Sequence, residues 1–359
     1  MSKITKINIF FPYNRVGGAF RSTYEYANRL SAMGYDIKVY FPFIPLMENY
    51  SILSWAGIKH FLAGIARSVI RGSKVDWFEC KFAVSMIPTI GKAFVRDAEI
   101  AIANHWPTAA PVFKLPQTKG EKYFYIRDVE QWAPYFSEEV EAFRLPMKRL
   151  VTTDFIRSYL EEKLGLQVTA TIRNGFNPDG FVAPAIKIPR TDCTVSMIYS
   201  THPMKGVEDG INCLRLIKSR YPSIRVILFG FNAPPALDFE FEYILRPVKE
   251  RLREVYQRTD VFLCPSIQEG WHNPPSEAMA ARCAVVATDV GSVPYTVSHG
   301  LNGFAVAPRD VDGMIKFISL LIEDKELRSK ISEAAFNSIQ SLTWDEPVSQ
   351  LDSLFRVQS

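Results

Sequence analysis

The chain has 359 residues, of which 47% are hydrophobic, and its 42 basic and 38 acidic residues leave a net charge of +4 at pH 7. This length and apolar content are enough for two domains, each with its own core. The nearly balanced charge argues against a dedicated nucleic-acid-binding protein, whereas the mild basic excess suits an anionic ligand.

The cysteines and the apolar runs indicate a protein of the cytoplasm. The cysteines are widely spaced and form no CxxC pair, so we expect small core residues in a reducing compartment rather than disulfide partners. They are Cys80, Cys193, Cys213, Cys264 and Cys283. The first residues lack the apolar core of a signal peptide, and no run of about 18 apolar residues follows, so we expect neither secretion nor a membrane span.

Short apolar strands alternate with helical patterns along the chain, which is typical of parallel sheets with crossover helices. In the first half the predicted strands are 7–11, 37–40, 99–103, 122–126 and a short strand at Val151. In the second half they are 194–199, 225–229, 243–245, 261–264 and 284–287. Prolines cluster between residues 177 and 190, where we expect one domain to give way to the next. The predicted fold class is therefore α/β, with two doubly wound, Rossmann-like domains.

Residues 51–71 carry apolar side chains at helical spacing, with basic side chains on another face. Such a helix either packs on the sheet of its own domain or rests on an anionic membrane surface as a peripheral contact. The sequence leaves both interpretations open.

The loop after the predicted strand 261–264 contains two glutamates and carries the clearest functional pattern. Pro265 ends the strand because proline cannot extend the ladder of hydrogen bonds. Asn273 followed by two prolines is typical of a helix start, which puts Glu277 in the first helical turn and Glu269 in the loop before it.

This position favours a diphosphate, because the N–H groups and the dipole of a helix N-terminus at the end of a parallel strand attract anions. Two carboxylates would repel a diphosphate, so we expect Glu269 and Glu277 to accept hydrogen bonds from the hydroxyls of a ribose or another sugar. The alternative is one helix-cap acid and one surface acid, since glutamate pairs at this spacing are common by chance.

Residues 269–280 resemble the signature of the retaining family 4 glycosyltransferases of GT-B architecture. That signature, Glu-Gly-x-x-x-x-x-x-Glu-Ala-x-Ala after a strand ending in Pro-Ser, is met at every fixed position. Residues 284–294 resemble the next strand and glycine turn of the family, and residues 299–306 resemble the hairpin beyond it. Fainter likenesses upstream are Lys205-Gly206, Arg173-Asn174-Gly175-Phe176 and Gly17-Gly18-Ala19.

The resemblance implies two Rossmann-like domains that face each other across a cleft. Residues 1–180 would form the acceptor-side domain, residues 181–340 the nucleotide-sugar-binding domain, and residues 341–359 a terminal helix that returns towards the first domain. The implied reaction transfers a hexose or deoxyhexose from a nucleoside-diphosphate sugar to a glycan or lipid-linked acceptor, with retention, in surface polysaccharide synthesis. The resemblance implies no cofactor and no metal.

The resemblance also assigns roles to single residues. Glu277 would hold the donor ribose, Glu269 would lie near the donor sugar, and Lys205 would supply the charge that stabilises the leaving diphosphate. Amides at the start of the helix would approach the diphosphate, as would the glycine loop, because glycine has no side chain. The further substrate-binding residues implied in this way are Asn273, Pro275, Ser276, Gly17 and Gly18.

Two departures from the family pattern leave assignments open. The arginine that usually precedes the lysine is missing, so either His202 substitutes for it or the contact is absent. In the first domain, His105 and Asp128 compete for the place beside the sugar and acceptor. The segment around Asp128 resembles rhamnan-synthesis members of the family, which favours Asp128 as a catalytic residue, with a loop cap or an ion pair as the alternative.

The remaining patterns limit the function. Asp310-Val311-Asp312 is interpreted as the cap of the helix that follows, and no metal site is predicted. Two other functions stay open: an epimerase or hydrolase of the same architecture, and a non-catalytic binder of sugar nucleotides. The sequence lacks the basic and aromatic cluster of a nucleic-acid-binding surface.

Overall fold

The computed structural model describes residues 4–14, 17–46, 62, 66, 75–182 and 192–356. The helix considered for residues 51–71 lies outside the described residues, apart from positions 62 and 66. The chain divides into two compact units: unit 1 comprises Met1–Asn174 and Trp344–Ser359, and unit 2 comprises Gly175–Thr343. In the part of the chain that is described, no helix combines the length and the apolar character needed to cross a membrane.

Unit 1 contains a parallel sheet of seven described strands in the order β3-β2-β1-β4-β5-β6-β7. The strands are β1 (Lys6–Phe10), β2 (Asp36–Pro42), β3 (Ala83–Ile87), β4 (Ile100–Ala103), β5 (Glu121–Ile126), β6 (Lys148–Val151) and β7 (Ala170–Thr171). The helices described in this unit are Gly18–Ala32, Trp106–Phe113, Phe136–Arg144, Asp154–Ser158 and Asp345–Arg356, with short helical turns at Gln117–Lys119 and Tyr159–Lys163. The last helix packs within unit 1, where the Tyr35 hydroxyl donates to Asp352 Oδ1 at 2.8 Å.

Unit 2 contains a parallel sheet of six described strands in the order β10-β9-β8-β11-β12-β13. The strands are β8 (Thr194–Tyr199), β9 (Arg225–Gly230), β10 (Glu242–Leu245), β11 (Val261–Cys264), β12 (Ala284–Thr288) and β13 (Phe304–Val306). The described helices are Val207–Arg220, Lys249–Arg258, Pro274–Ala280, Val293–Thr296, Val311–Glu323 and Lys325–Ile339, with short turns at Pro178–Gly180 and Pro203–Lys205. The prediction of two doubly wound parallel sheets is confirmed.

The order of the strands determines where each unit can hold a ligand. In both sheets the winding direction reverses once, between β1 and β4 in unit 1 and between β8 and β11 in unit 2. At such a switch point the loops after two neighbouring strands diverge and leave a crevice at the carboxyl end of the sheet. The loops that carry the predicted site residues follow these strands, except that Asp128 follows β5, the neighbour of β4.

Two local predictions in unit 2 had different outcomes. Asp310 caps the helix Val311–Glu323 as predicted, since its Oδ1 accepts from the Gly313 amide at 2.9 Å. The hairpin expected at residues 299–306 was wrong, because Phe304–Val306 joins the sheet parallel to β12. The chain turns tightly before this strand, with Gly300 at a φ of 78°, and enters the sheet in the same direction as its neighbour.

Candidate active site

The loops after β8 and β11 bring Lys205 and Glu269 together. Because the two strands are parallel neighbours, their carboxyl ends lie side by side. The backbones of the two loops touch, since the Ile267 amide donates to the Met204 carbonyl at 2.8 Å. Gly206 is required there, because it has a φ of 59° and a Cβ at this position would lie 1.9 Å from the carbonyl oxygen of Pro265.

Glu269 lies at the centre of this cluster with its side chain only 12% exposed. Its Oε1 accepts hydrogen bonds from Lys205 Nζ at 2.7 Å and Ser266 Oγ at 2.8 Å, and it lies 3.1 Å from His272 Nδ1. Burial by itself would raise the pKa of Glu269, but the charges and hydrogen bonds of His272 and Lys205 outweigh burial and lower it to about 2. The carboxylate therefore stays ionised throughout the physiological range.

His272 links Glu269 to Cys264. Its Nε2 lies 2.8 Å from Cys264 Sγ, and its side chain is 5% exposed. Burial lowers the pKa of His272, but the neighbouring thiol and carboxylate raise it to about 10. Burial likewise raises the pKa of Cys264, and the His272 charge reverses this to a net lowering. Imidazolium is therefore the form that this pocket favours.

The backbone of His272 is strained, because its φ of 126° is one that residues other than glycine rarely adopt. Such strain persists only where surrounding contacts over-determine it. The two ring contacts and a hydrogen bond from Ser292 Oγ to the His272 carbonyl supply those contacts. Gly291 supports the same loop, since a Cβ on it would lie 2.8 Å from Cβ of Glu269.

Glu277 lies in the first turn of the helix Pro274–Ala280, as predicted. The Tyr256 hydroxyl donates to its Oε2 at 2.9 Å. Asn273 occupies the N-cap position, as predicted, although its side chain makes no capping hydrogen bond. Ser276 is 1% exposed, and its hydroxyl has no hydrogen-bond partner among the described residues, while Pro275 beside it is also buried.

His202 lies at the surface of the same edge. It is exposed and precedes the short turn Pro203–Lys205, and its backbone amide donates to Ser200 Oγ at 3.1 Å. The structure thus brings Lys205 into contact with Glu269 but leaves His202 outside that cluster of hydrogen bonds.

The predicted residues of unit 1 follow three neighbouring strands, β1, β4 and β5. Gly17 and Gly18 start the helix after β1, and His105 is the N-cap of the helix after β4. Asp128 follows β5, and its Oδ1 accepts from the Val129 amide at 2.8 Å, which is a local loop contact. Parallel pairing places the three loops at one edge of the sheet.

Sequence reasoning missed several residues of these sites. Cys264 was expected to be a core residue, and His272 was given no role, yet the two form a buried pair with Glu269. The only signal in the sequence was a histidine three residues after the first glutamate of the motif. Tyr256 and Arg127 gave no signal, because their contacts come from distant parts of the chain. Among the described residues, no three histidine, cysteine or acidic side chains are placed to hold a metal ion together.

Comparison with known proteins finds a family that part of the chain resembles. Residues 183–338 match the family model described as glycosyl transferases group 1. The chain is 26% identical over 184 residues to D-inositol 3-phosphate glycosyltransferase of Corynebacterium glutamicum, covering 47% of this chain and 44% of that protein. It is 21% identical over 266 residues to the capsular polysaccharide biosynthesis glycosyltransferase CapM of Staphylococcus aureus, covering 68% of this chain and 69% of that protein.

The likeness of fold extends along the whole chain. HepE of Anabaena, solved in complex with UDP and glucose, matches with a TM-score of 0.70 at 14% identity, covering 98% of this chain and 100% of that chain. The chain spans 44%, 43% and 29% of the length of the first curated relatives it matches. Residues 183–338 are thus similar to the group 1 glycosyltransferases, and the two parallel α/β sheets of the chain have the GT-B fold.

Proposed function

We propose that the chain is a retaining glycosyltransferase that moves a hexose or deoxyhexose from a nucleoside-diphosphate sugar to a glycan or lipid-linked sugar acceptor. The observation that carries the proposal is the 2.7 Å contact between Lys205 and Glu269 at the switch point of unit 2. Transfer from such a donor needs a cation for the departing diphosphate and acceptors for sugar hydroxyls in one place. The capsular relative supports a setting in surface polysaccharide synthesis.

Lys205 is the proposed partner of the diphosphate. Its ammonium group has three N–H donors, of which one contacts Glu269. The side chain is 34% exposed, so the other donors can reach a ligand. The contact with Glu269 holds the ammonium group in position before the donor binds, which reduces the loss of freedom on binding.

Glu269 is the proposed partner of the donor sugar. With a pKa of about 2 it cannot act as a general acid near neutral pH, and it is also a weak base. It can accept hydrogen bonds from sugar hydroxyls and stabilise the positive charge that develops on the sugar as the diphosphate departs. The proton of the acceptor would then pass to the leaving phosphate, which agrees with a same-face reaction.

Glu277 and Ser276 are the proposed contacts of the nucleotide portion. A carboxylate has about four acceptor positions, and the Tyr256 hydroxyl occupies one position on Glu277, so a ribose diol is a suitable further ligand. The buried Ser276 hydroxyl has no hydrogen-bond partner among the described residues, which costs roughly 1–3 kcal/mol. A diphosphate oxygen would satisfy that hydroxyl.

Thermal stabilisation by a panel of nucleoside diphosphates and their sugar conjugates tests the donor site. UDP and UDP-glucose come first, because HepE has been solved with UDP-glucose. A ligand at about 100 times its Kd should stabilise the protein by roughly 2.7 kcal/mol. We expect Glu277→Ala to lose the shift, while Glu326→Ala, an exposed glutamate in the first turn of Lys325–Ile339, keeps it. No shift with any ligand would refute the proposal.

Turnover then separates the proposed reaction from its alternatives. An epimerase or hydrolase would consume the donor without an acceptor, and a binding protein would bind nucleotide without any transfer. We expect Glu269→Ala to reduce transfer with little loss of nucleotide affinity, in contrast to Glu277→Ala. If both variants bind and transfer like the wild type, the two glutamates have no role in the reaction.

A further inference from the structure

Arg127, at the end of β5 in unit 1, is a partly buried cation that forms no ion pair with any described carboxylate. Its Nε donates to Asn104 Oδ1 at 3.1 Å, its Nη1 to Ser22 Oγ at 2.8 Å and its Nη2 to Thr23 Oγ1 at 2.7 Å. The guanidinium carbon lies 4.1 Å from the centre of the Tyr125 ring. All of these partners are neutral. Burial lowers the pKa of Arg127, but arginine keeps its charge in proteins.

The surroundings of Arg127 do not compensate this charge. The tyrosine hydroxyls beside it are donors rather than anions, since Tyr125 donates to the Ile172 carbonyl and Tyr26 to the Arg173 carbonyl, both at 2.7 Å. The guanidinium also lies near the N-terminal end of the helix Gly18–Ala32, where the helix dipole disfavours a cation. Because a buried charge is normally paired or hydrogen-bonded to an opposite charge, this site has an excess of positive potential that an anion would offset.

Asn104 is a second unsatisfied group at the same place. It is 1% exposed, and its Oδ1 accepts from Arg127 Nε and from Thr23 Oγ1, which fixes the orientation of the amide. Its Nδ2 has no hydrogen-bond partner among the described residues. Arg127 keeps one N–H on each Nη beyond those already bonded, which suits a bidentate contact with an oxyanion. Asn104 follows β4 at the switch point of unit 1, where open α/β sheets bind ligands, and Arg127 follows the neighbouring strand β5.

We propose that Arg127 and Asn104 bind a phosphate group of the acceptor substrate. The assignment to the acceptor rests on the proposed function, whereas the anion site rests on the geometry of unit 1. A phosphate has enough oxygens to accept from both guanidinium nitrogens and from the amide at once. A phosphorylated sugar and a prenyl diphosphate would both present this chemistry.

The test measures the melting temperature of the full chain in phosphate and in chloride at matched ionic strength. All proteins carry Lys205→Met, which removes the proposed phosphate contact of unit 2. We expect phosphate to raise the melting temperature of this parent, Arg127→Met to abolish the rise, and Ser22→Ala to keep it. Ser22→Ala is the matched control, because it removes one neutral partner of Arg127 and leaves the charge.

Arg127→Lys provides a second measurement if the methionine variant does not fold. It keeps the charge but loses the two-nitrogen contact, so titration calorimetry should show phosphate binding at least tenfold weaker than in the parent. Titrations with glucose 6-phosphate and with geranyl diphosphate then show whether the phosphate group belongs to a phosphorylated sugar or to a prenyl diphosphate, because the compound closer to the acceptor should bind more tightly. The proposal would be overturned if phosphate did not raise the melting temperature of the parent, or if it raised that of Arg127→Met equally. It would also be overturned if acetate raised the melting temperature of the parent as much as phosphate does. Loss of nucleotide binding in Glu277→Ala concerns only the donor site, so the two proposals fail separately.

Discussion

Replacing Glu269 with glutamine tests whether its neighbours hold the buried carboxylate in the ionised form. The pKa of Glu269 is about 2 instead of 4.5. Each tenfold change in proton affinity corresponds to about 1.4 kcal/mol, so ionisation of Glu269 should stabilise unit 2 by about 3 kcal/mol. Because the folded state lowers this pKa, the stabilisation is complete above about pH 4.5 and is lost as the pH falls towards 2. Glutamine can keep an amide oxygen at the position of Oε1, which the three neighbours contact, but it cannot ionise, so the variant should lack the whole contribution.

Urea titrations of both proteins between pH 7 and pH 2, followed by circular dichroism, measure this contribution. We expect the free energy of unfolding of the variant to be lower by about 3 kcal/mol at pH 7, and this difference to disappear near pH 2. Glu242→Gln is the control, because Glu242 pairs with Arg258 at the surface and should contribute less than about 1 kcal/mol. A difference for Glu269→Gln that is independent of pH, or no larger than that of the control, would refute the reasoning.

Three further substitutions address the same site. His272→Gly should relieve a backbone strain of roughly 1–3 kcal/mol and remove the contact with Glu269, so the free energy of unfolding should change little. The kcat should fall about tenfold or more, because Glu269 is no longer held in place. An unchanged kcat, measured beside the exposed control His299→Ala, would show that His272 has only a packing role. Gly291→Ala should lower the melting temperature, since its Cβ would lie 2.8 Å from Cβ of Glu269 at a φ of 61°; a wild-type melting temperature would contradict this. Lys205→Met should weaken binding of the nucleoside diphosphate about tenfold and spare the nucleoside, as titration calorimetry can show; equal losses for both ligands would indicate a structural role.

Local sequence patterns predicted much of the local structure. Val261–Cys264 is apolar throughout because both faces of a parallel strand are covered, and the strand was found at those residues. Glu277 lies in a first helical turn because the two prolines before it favour a helix start. The failed hairpin at residues 299–306 shows the limit, since a glycine-rich turn followed by a short strand does not reveal which strand will pair with it.

The contacts that make the site were not predictable in the same way. Lys205 and Glu269 are 64 residues apart and meet only because β8 and β11 are neighbours at the switch point. The sequence indicates only a core residue at Cys264, because its contact with the His272 ring depends on the strained loop that brings the ring back to the strand. The guanidinium of Arg127 joins three elements of unit 1, and no local pattern indicates that its partners are all neutral.

The sequence by itself determined which segments form strands and helices, and which residue types stand at their ends, because hydrophobic periodicity and turn chemistry act over a few neighbouring residues. The tertiary structure alone decided which strand ends lie side by side. It also decided which charged groups share a pocket and which of them remain ionised there, because these depend on strand order, burial and the summed fields of residues that are distant in the chain.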